Sequence, residues 1–145
     1  MGHRLLFSCA FLACLAPAAA LATPAHEAVR LVGTHYQWGG RTPETGFDCS
    51  GLVVHVFEQA WGMELPHNAH AQSKLGKRVR LRDLQPGDLV FYNTRNRAYS
   101  HVGIYLGEGR FVHAPRRGAR VRIESIRTSY WRSRFDGARR LERHK

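Results

Sequence analysis

The feature of this sequence that most constrains its fold is a change in the spacing of apolar residues near the middle of the chain. After Cys49 the apolar residues recur at the spacing of one face of a helix, at Leu52, Val53, Val56, Phe57 and Ala60. Beyond Pro86, short apolar and β-branched runs typical of strands occupy 88–92, 101–106, 110–114 and 120–123. Helices followed by closely connected strands predict an α+β fold, with N-terminal helices packed on an antiparallel sheet.

Glycines and capping residues set the ends of the predicted helices. Asp48 is a favourable N-cap for the helix that starts at Cys49, and Gly33, Gly62 and Gly76 are favourable helix stops. In order, we expect a helix at 24–32, a loop at 36–46, a helix at 49–61 and a short helix at 68–75. No repeat or linker interrupts this pattern, which indicates one domain.

The first 22 residues have the three-part pattern of a secretory signal peptide. Arg4 precedes an apolar run from Leu5 to Leu15, and Pro17 and small residues follow. That run is too short for a membrane-spanning helix, which needs about 20 residues. We therefore expect a signal peptide over 1–22, one folded domain over 23–145, export to the periplasm or cell envelope, and no transmembrane segment. Two alternatives are an uncleaved buried helix and a lipoprotein acylated at a cysteine, either Cys9 or Cys14.

The net charge of the chain limits the classes of molecule that it is expected to bind. Lys and Arg number 22 and Asp and Glu 11, a formal net charge of +11 that is carried mostly by arginine. A field of this sign favours polyanions such as cell-envelope polymers. Export and the lack of a recognition motif in the sequence argue against nucleic acid. The arginines at 116–122 are expected to form a solvated basic face.

Cysteine usage points to one reactive thiol. The chain has three cysteines, and two of them leave with the predicted signal peptide, so Cys49 remains. It stands at the first turn of a helix, where backbone N–H groups and the helix dipole favour an anion and lower a thiol pKa. Its backbone N–H is also placed to bind an oxyanion. Cys49 is thus a candidate nucleophile; the other interpretation is a buried, inert cysteine.

A cysteine nucleophile needs a histidine base that a third group orients. If residues 107–109 form a three-residue hairpin loop, Gly103 lies opposite His113, and His101 is its diagonal neighbour on the same face. A two-residue loop would place the two histidines on opposite faces. A zinc site formed by Cys49, His101 and His113 is a weaker alternative, because no close ligand pair has the usual zinc spacing.

Several stretches together resemble one family along residues 25–142. They are YQWGG at 36–40, GFDCSGLV at 46–53, LQPGDLVF at 84–91, SHVGIYLG at 100–107, FVHA at 111–114, and the ending from Tyr130 to Arg140. In composition and order they are similar to the NlpC/P60 cysteine peptidases, papain-like hydrolases of bacterial cell-wall peptides.

This resemblance implies a papain-like fold, no cofactor and no metal, and a role for each matched residue. Cys49 would be the nucleophile, His101 the base and His113 the residue that orients the base, while Tyr36 would help to bind the oxyanion. Residues implied to contact substrate are Asp48, Ser50 and Trp38. Helix capping and packing are equally good explanations of those three.

The resemblance also implies a substrate, the peptides of peptidoglycan. Similarity to compact single-domain Gram-negative members favours cleavage of the D-Ala–diaminopimelate cross-link, and the D-Glu–diaminopimelate bond within a stem is the alternative. The family often has Leu-Pro-Arg followed by Thr or Ser where this chain has Leu65-Pro66-His67-Asn68-Ala69. His67 and His70 are expected to face solvent. A rival hypothesis is a non-catalytic basic module that binds the envelope, and the oligomeric state stays open.

Overall fold

The computed structural model describes residues 22–144. The signal peptide expected over 1–22, with its cysteines, therefore lies outside the described residues except for Ala22. Within them, helices pack on an antiparallel sheet, and the prediction of an α+β fold is confirmed.

Residues 22–144 contain four α-helices, and side-chain caps begin three of them. The first three are α1 (Pro24–Arg30), α2 (Cys49–Trp61) and α3 (Ala69–Gln72), which begin after Thr23, Asp48 and Asn68 respectively. Each of these capping side chains accepts a hydrogen bond from a backbone N–H in the first turn, which satisfies a donor that the helix leaves free. The fourth is α4 (Ser129–Arg134), which was not predicted. Helix α2 ends at Gly62 with φ of 63°, as its sequence indicates.

The main sheet has six strands, and neighbouring strands in it are all antiparallel. The strands are β3 (Lys77–Val79), β4 (Leu89–Tyr92), β5 (His101–Gly107), β6 (Arg110–His113), β7 (Arg122–Ser125) and β8 (Phe135–Arg140), in the spatial order β3-β8-β4-β5-β6-β7. A separate ribbon pairs β1 (Arg41–Thr42) with β2 (Gly46–Phe47), and a 3-10 turn spans Leu81–Asp83. The last strand of the chain is therefore inserted between β3 and β4.

Three sequence predictions of local structure are corrected here. The segment 36–46 is not all loop, because it contains β1 and the start of β2. The strand expected at 120–123 is shifted to Arg122–Ser125, so most of the arginine-rich segment 116–122 precedes it; Arg120 makes only an isolated bridge to His35. Strands β3 and β8 were missed because β3 is largely charged and exposed and β8 carries Asp136 and Gly137, which are poor strand formers.

The sheet is covered by apolar side chains on both faces near its centre. Leu89 and Phe91 of β4 pack in a core with α1 and α2, whereas Val90 and Tyr92 of the same strand pack in a second core that includes Trp131 of α4. Strand β5, which follows the loop at 93–100, is buried between these layers through its first five residues. The histidine side chains on β5 and β6 are therefore shielded from water.

Candidate active site

An open cleft of about 790 Å³ lies at the N-terminus of α2. It brings together five of the seven residues singled out in the sequence, Tyr36, Trp38, Asp48, Cys49 and Ser50. Residues 67–70, at the start of α3, and residues of the loop at 93–100 form its other walls. The remaining two, His101 and His113, are buried in the sheet, 4% and 0% exposed.

Cys49 is the first residue of α2, and its position is fixed by the start of that helix. Its thiol lies close to the backbone N–H groups of Ser50 and Val102. Val102 follows His101 in β5, so the thiol lies against the beginning of the strand that carries the histidine. Because Cys49 opens the helix, its own N–H has no acceptor within the helix.

The pKa of the Cys49 thiol is raised to about 11, chiefly by burial and then by the Asp48 carboxylate beside it. The two backbone N–H groups and the Arg95 guanidinium lower it by less. The expected net lowering of this pKa is therefore wrong: the N–H groups act in the expected direction, but burial and the neighbouring anion outweigh them. The resting thiol is protonated at neutral pH and needs a base to become a nucleophile.

His101 and His113 face each other across the β5–β6 hairpin, as predicted, but the turn differs from the predicted one. The connection is a two-residue turn, Glu108 and Gly109, both with positive φ. Gly107 pairs with Arg110, and a shift between Tyr105 and Gly107 restores the register in which Ile104 pairs with Val112. The bulge at this point compensates for the short turn. His101 Nε2 and His113 Nδ1 are consequently 2.7 Å apart.

A carboxylate that sequence reasoning missed completes this arrangement. Glu124 of β7 lies 2.5 Å from His113 Nε2 through its Oε2 atom. It also accepts hydrogen bonds from Arg122 Nε at 3.1 Å and Trp131 Nε1 at 3.2 Å. Three strands and one helix thus hold a hydrogen-bonded chain that runs from His101 through His113 to Glu124. The sequence could have indicated Glu124, because it is an acidic residue on a strand next to the one that carries His113. The predicted strand ended at residue 123 and therefore left Glu124 out.

The protonation of this chain follows from its partners. Hydrogen bonding from His113 is the main cause that lowers the pKa of Glu124 to about 2, so it is an acceptor only. Burial lowers the pKa of His113 and, far more, that of His101, so both rings are neutral near pH 7. His113 must then donate from Nε2 to Glu124 and accept at Nδ1 from His101 Nε2. This leaves the Nδ1 lone pair of His101 free to accept a proton.

Packing keeps the His101 ring in one orientation. The Trp131 ring stacks on it, with 5.6 Å between centroids and 23° between planes. Gly103 makes room for its hydrogen-bond partner His113 on the next strand, since a Cβ there would lie 2.7 Å from the Phe111 ring and 3.2 Å from His113 Cβ. Stacking on Trp131 and the hydrogen bond to His113 therefore leave the His101 ring little freedom to rotate.

Asp48 makes hydrogen bonds that hold the fold together, and Ser50 is buried. Asp48 Oδ1 accepts from the Gly51 N–H at 2.7 Å and lies 2.8 Å from His67 Nε2, while Oδ2 accepts from the Gly39 N–H at 3.0 Å. Ser50 is 6% exposed. The expectation that His67 faces solvent is wrong, because it is held against Asp48.

Tyr36, Trp38 and Arg95 also line the cleft. Burial and the neighbouring Cys49 raise the pKa of Tyr36, so its hydroxyl keeps its proton at neutral pH. Trp38 is 57% exposed, and the Arg95 guanidinium lies 4.9 Å from its ring centroid. Arg95 is a second cleft residue that the sequence pattern did not indicate.

Within residues 22–144, no group of three or more His, Cys, Asp and Glu side chains is arranged to hold a metal ion. The nitrogens that His101 and His113 turn toward each other are already hydrogen-bonded, so the geometry gives no support to the zinc alternative. In the same part of the chain, no helix is long and apolar enough to cross a membrane.

Comparison with known proteins identifies the family. The family model described as NlpC/P60 matches residues 33–140, which include both strands with histidines and the helix that Cys49 begins. The chain belongs to the NlpC/P60 family. The resemblance stated from the sequence motifs is thereby confirmed.

Curated relatives of this NlpC/P60 protein include several named as cell-wall hydrolases. It is 43% identical over 127 residues to the gamma-DL-glutamyl hydrolase of Bacillus subtilis, covering 87% of the chain and 30% of the relative. It is 37% identical over 119 residues to the murein DD-endopeptidase MepH of Escherichia coli, covering 80% and 44%. It is 40% identical over 109 residues to murein DD-endopeptidase MepS/murein LD-carboxypeptidase of Escherichia coli, covering 75% and 56%. The chain thus spans about a third to just over half the length of these relatives.

Solved structures agree with the fold. The NlpC/p60 domain of the peptidoglycan hydrolase SagA superposes with a TM-score of 0.71 at 34% identity, covering 83% of this chain and 97% of that domain. An NlpC/P60 family protein from Bacillus cereus gives a TM-score of 0.73 at 31% identity, covering 83% of this chain and 41% of that one.

Proposed function

We propose that this protein is a cysteine endopeptidase that hydrolyses an amide bond in peptidoglycan stem peptides. The observation that carries the proposal is the buried His101–His113–Glu124 chain beside a cysteine at the N-terminus of a helix. Relatives named as murein endopeptidases supply the substrate class. A metal or organic cofactor is not needed for this chemistry.

In the acylation step, His101 Nδ1 takes the thiol proton while Cys49 Sγ attacks the scissile carbonyl carbon. The negative charge on the carbonyl oxygen is stabilised by the Cys49 N–H and the Tyr36 hydroxyl. His113 and Glu124 orient His101 and stabilise the imidazolium that forms. As the carbon–nitrogen bond breaks, the imidazolium gives its proton to the leaving amine, which leaves a thioester on Cys49.

In the deacylation step, water enters the cleft and attacks the thioester carbonyl. His101 Nδ1 takes a proton from that water and returns it to the Cys49 sulfur as the thioester breaks. The same oxyanion donors act in both steps, and the enzyme returns to its neutral resting state.

The bond we favour is the D-Ala–diaminopimelate cross-link. The support is similarity to MepH and MepS, both named as murein DD-endopeptidases. A second candidate is the D-Glu–diaminopimelate bond, because it is a γ-glutamyl amide and a relative at 43% identity is named a gamma-DL-glutamyl hydrolase.

Digestion of purified cross-linked dimeric muropeptides, followed by mass analysis, tests these assignments. Intact tetrapeptide monomers are expected, and Cys49→Ala is expected to release none. Disaccharide dipeptides that end in D-Glu would transfer the assignment to the second candidate. No hydrolysis by the wild-type protein would favour the rival hypothesis of a non-catalytic module that binds anionic envelope polymers. Equal hydrolysis by Cys49→Ala would show that Cys49 is not the nucleophile.

We further propose that residues 1–22 direct export to the periplasm or cell envelope, where the substrate lies. N-terminal sequencing of the exported protein is expected to begin at Thr23 or Leu21. A mature chain that begins with an acylated cysteine would show a lipoprotein instead.

A further inference from the structure

The loop at 93–100, between β4 and β5, places two cations in the cleft that holds Cys49. Arg95 and Arg97 both line that cleft. Among the residues that the structure describes, neither makes an ion pair with a carboxylate. Asp48, the acid that lines the same cleft, is occupied by two backbone N–H groups and His67. The cleft therefore presents uncompensated positive charge.

Hydrogen bonds to side chains hold this loop in a defined shape. The Arg97 N–H donates to Asn93 Oδ1 at 3.0 Å, and the Thr94 N–H donates to Ser100 Oγ at 3.0 Å. The Tyr99 N–H donates to Asp136 Oδ2 at 2.8 Å, which ties the loop to β8. The backbone on both sides of Arg95 is thus fixed before a ligand arrives, which reduces the entropy lost on binding.

The Arg95 side chain is positioned by the ring of Trp38, which lines the same cleft as Cys49. Its guanidinium lies 4.9 Å from the Trp38 ring centroid, and that of Arg117 lies 5.9 Å from the same ring. Arg95 also lowers the pKa of Cys49, Tyr36 and His101, which shows that its charge is felt by all three. A guanidinium over a ring keeps N–H groups at its edge, and that edge fits a carboxylate with two parallel hydrogen bonds.

We propose that Arg95 is a substrate-binding residue that receives the free carboxylate flanking the scissile amide. This inference rests on the proposed function, because it takes a stem peptide as the substrate. In the D-Ala–diaminopimelate bond, the carbon that bears the leaving amine also bears a carboxylate. In the γ-D-glutamyl–diaminopimelate bond, the D-Glu residue bears a free α-carboxylate. Either substrate brings an anion a few bonds from the carbonyl that Cys49 attacks.

The test uses two synthetic stem peptides that differ only at this group, one with a free carboxylate and one with a carboxamide. The wild-type protein is expected to prefer the acid, and Arg95→Gln to lower kcat/KM for the acid about 10- to 100-fold, mainly through KM. The same substitution is expected to change kcat/KM for the amide by less than about threefold. Arg95→Lys should recover part of the loss, and Arg82→Gln, at an exposed site outside the cleft, is the matched control.

Two outcomes would overturn the role of Arg95: an equal loss on both peptides, or no loss on the acid. A binding measurement separates this inference from the proposed function. Calorimetric titration of Cys49→Ala, with and without Arg95→Gln, should show tighter binding of the acid only when Arg95 is present. If the wild-type protein hydrolyses neither peptide, the proposed function fails, and this titration alone decides whether Arg95 binds the carboxylate.

Discussion

The Cys49 thiol and the His101 imidazole are both uncharged at rest. Burial and Asp48 keep the thiol protonated, and burial keeps the imidazole unprotonated. The nucleophile would then be generated during attack, when the thiol proton passes to His101 Nδ1, and a thiolate–imidazolium pair would not be stored. The hydrogen-bonded Glu124 supplies the negative charge that makes this transfer favourable as His101 becomes cationic.

Alkylation of Cys49 measures that resting state directly. Iodoacetamide reacts with the thiolate, so with a thiol pKa of about 11 the rate should rise about tenfold per pH unit from pH 6 to pH 9. Mass analysis of the labelled protein follows the rate, with Cys49→Ala as the blank. A rate that is already independent of pH at pH 6 would show a preformed thiolate.

Glu124 is expected to affect catalysis by orienting His113. In Glu124→Gln the amide can turn either its oxygen or its nitrogen toward His113 Nε2, so the tautomers of both imidazoles are no longer fixed. We expect kcat to fall about 10- to 100-fold with KM nearly unchanged, as steady-state kinetics on a muropeptide would show. Glu108→Gln, an exposed glutamate in the hairpin turn, should leave both constants unchanged. Equal constants for Glu124→Gln and the wild-type protein would remove Glu124 from the mechanism.

At the scale of elements, the start of α2 is held by the same carboxylate that neighbours the thiol. Asp48 joins the loop at Gly39, the first turn of α2 and the segment that carries His67. The His67-Asn68-Ala69 departure from the family pattern therefore has a structural use. His67 bonds to Asp48, and Asn68 caps α3.

Removal of the Asp48 side chain should destabilise the fold. Asp48→Ala is expected to lower the free energy of unfolding by about 1 to 3 kcal/mol, because a helix cap and further hydrogen bonds are lost. Asp48→Asn keeps an acceptor oxygen and should lose less. Urea denaturation measures both, with the exposed Asp83→Ala as control at about 0.5 kcal/mol or less. Equal losses for Asp48→Ala and Asp83→Ala would contradict this role.

The elements that sequence could predict are those whose own apolar pattern is complete. Helix α2 has an apolar face, an N-cap and a stop glycine, and β4, β5 and β6 are buried strands with β-branched and aromatic residues. Strand β8 has no such pattern, since its stability comes from pairing with β3 on one side and β4 on the other. Glu124 could not be assigned for a related reason: its partner, His113, is 11 residues away on another strand.

The pKa of Cys49 also could not be predicted from the sequence alone. The helix N-terminus was visible in the spacing, whereas the burial that outweighs it depends on how α2 packs against β5. The relative position of the two histidines was predicted correctly, although the predicted turn was wrong. The observed turn is one residue shorter than predicted, and the bulge compensates for the change in register that this would cause.

At the scale of the whole molecule, one ion pair links the last strand to the centre of the sheet. Arg140 in β8 donates from Nε and Nη2 to the two carboxylate oxygens of Asp88, both at 2.8 Å. Asp88, just before β4, is 1% exposed and also accepts from the Gln85 N–H. The end of the domain is thus tied to the strand that leads to the cleft loop.

Breaking this pair should cost more than a surface substitution. Arg140→Gln leaves the buried Asp88 carboxylate without its counter-ion, and we expect the free energy of unfolding to fall by about 3 kcal/mol. Arg139→Gln, at the neighbouring position of β8, should change it by less than about 1 kcal/mol. Denaturant unfolding of the two variants side by side decides the point, and similar midpoints would contradict it.

The proposed mechanism requires the Cys49 sulfur to become covalently bonded to the substrate. A single-turnover reaction with enzyme in excess over cross-linked muropeptide, quenched in acid, allows the intact protein to be weighed. We predict a mass gain equal to the acyl portion of the substrate, mapped to the peptide that contains Cys49 and absent from Cys49→Ala. Turnover by Cys49→Ala at the wild-type rate, with Cys49 of the wild-type protein unmodified at every quench time, would contradict the account.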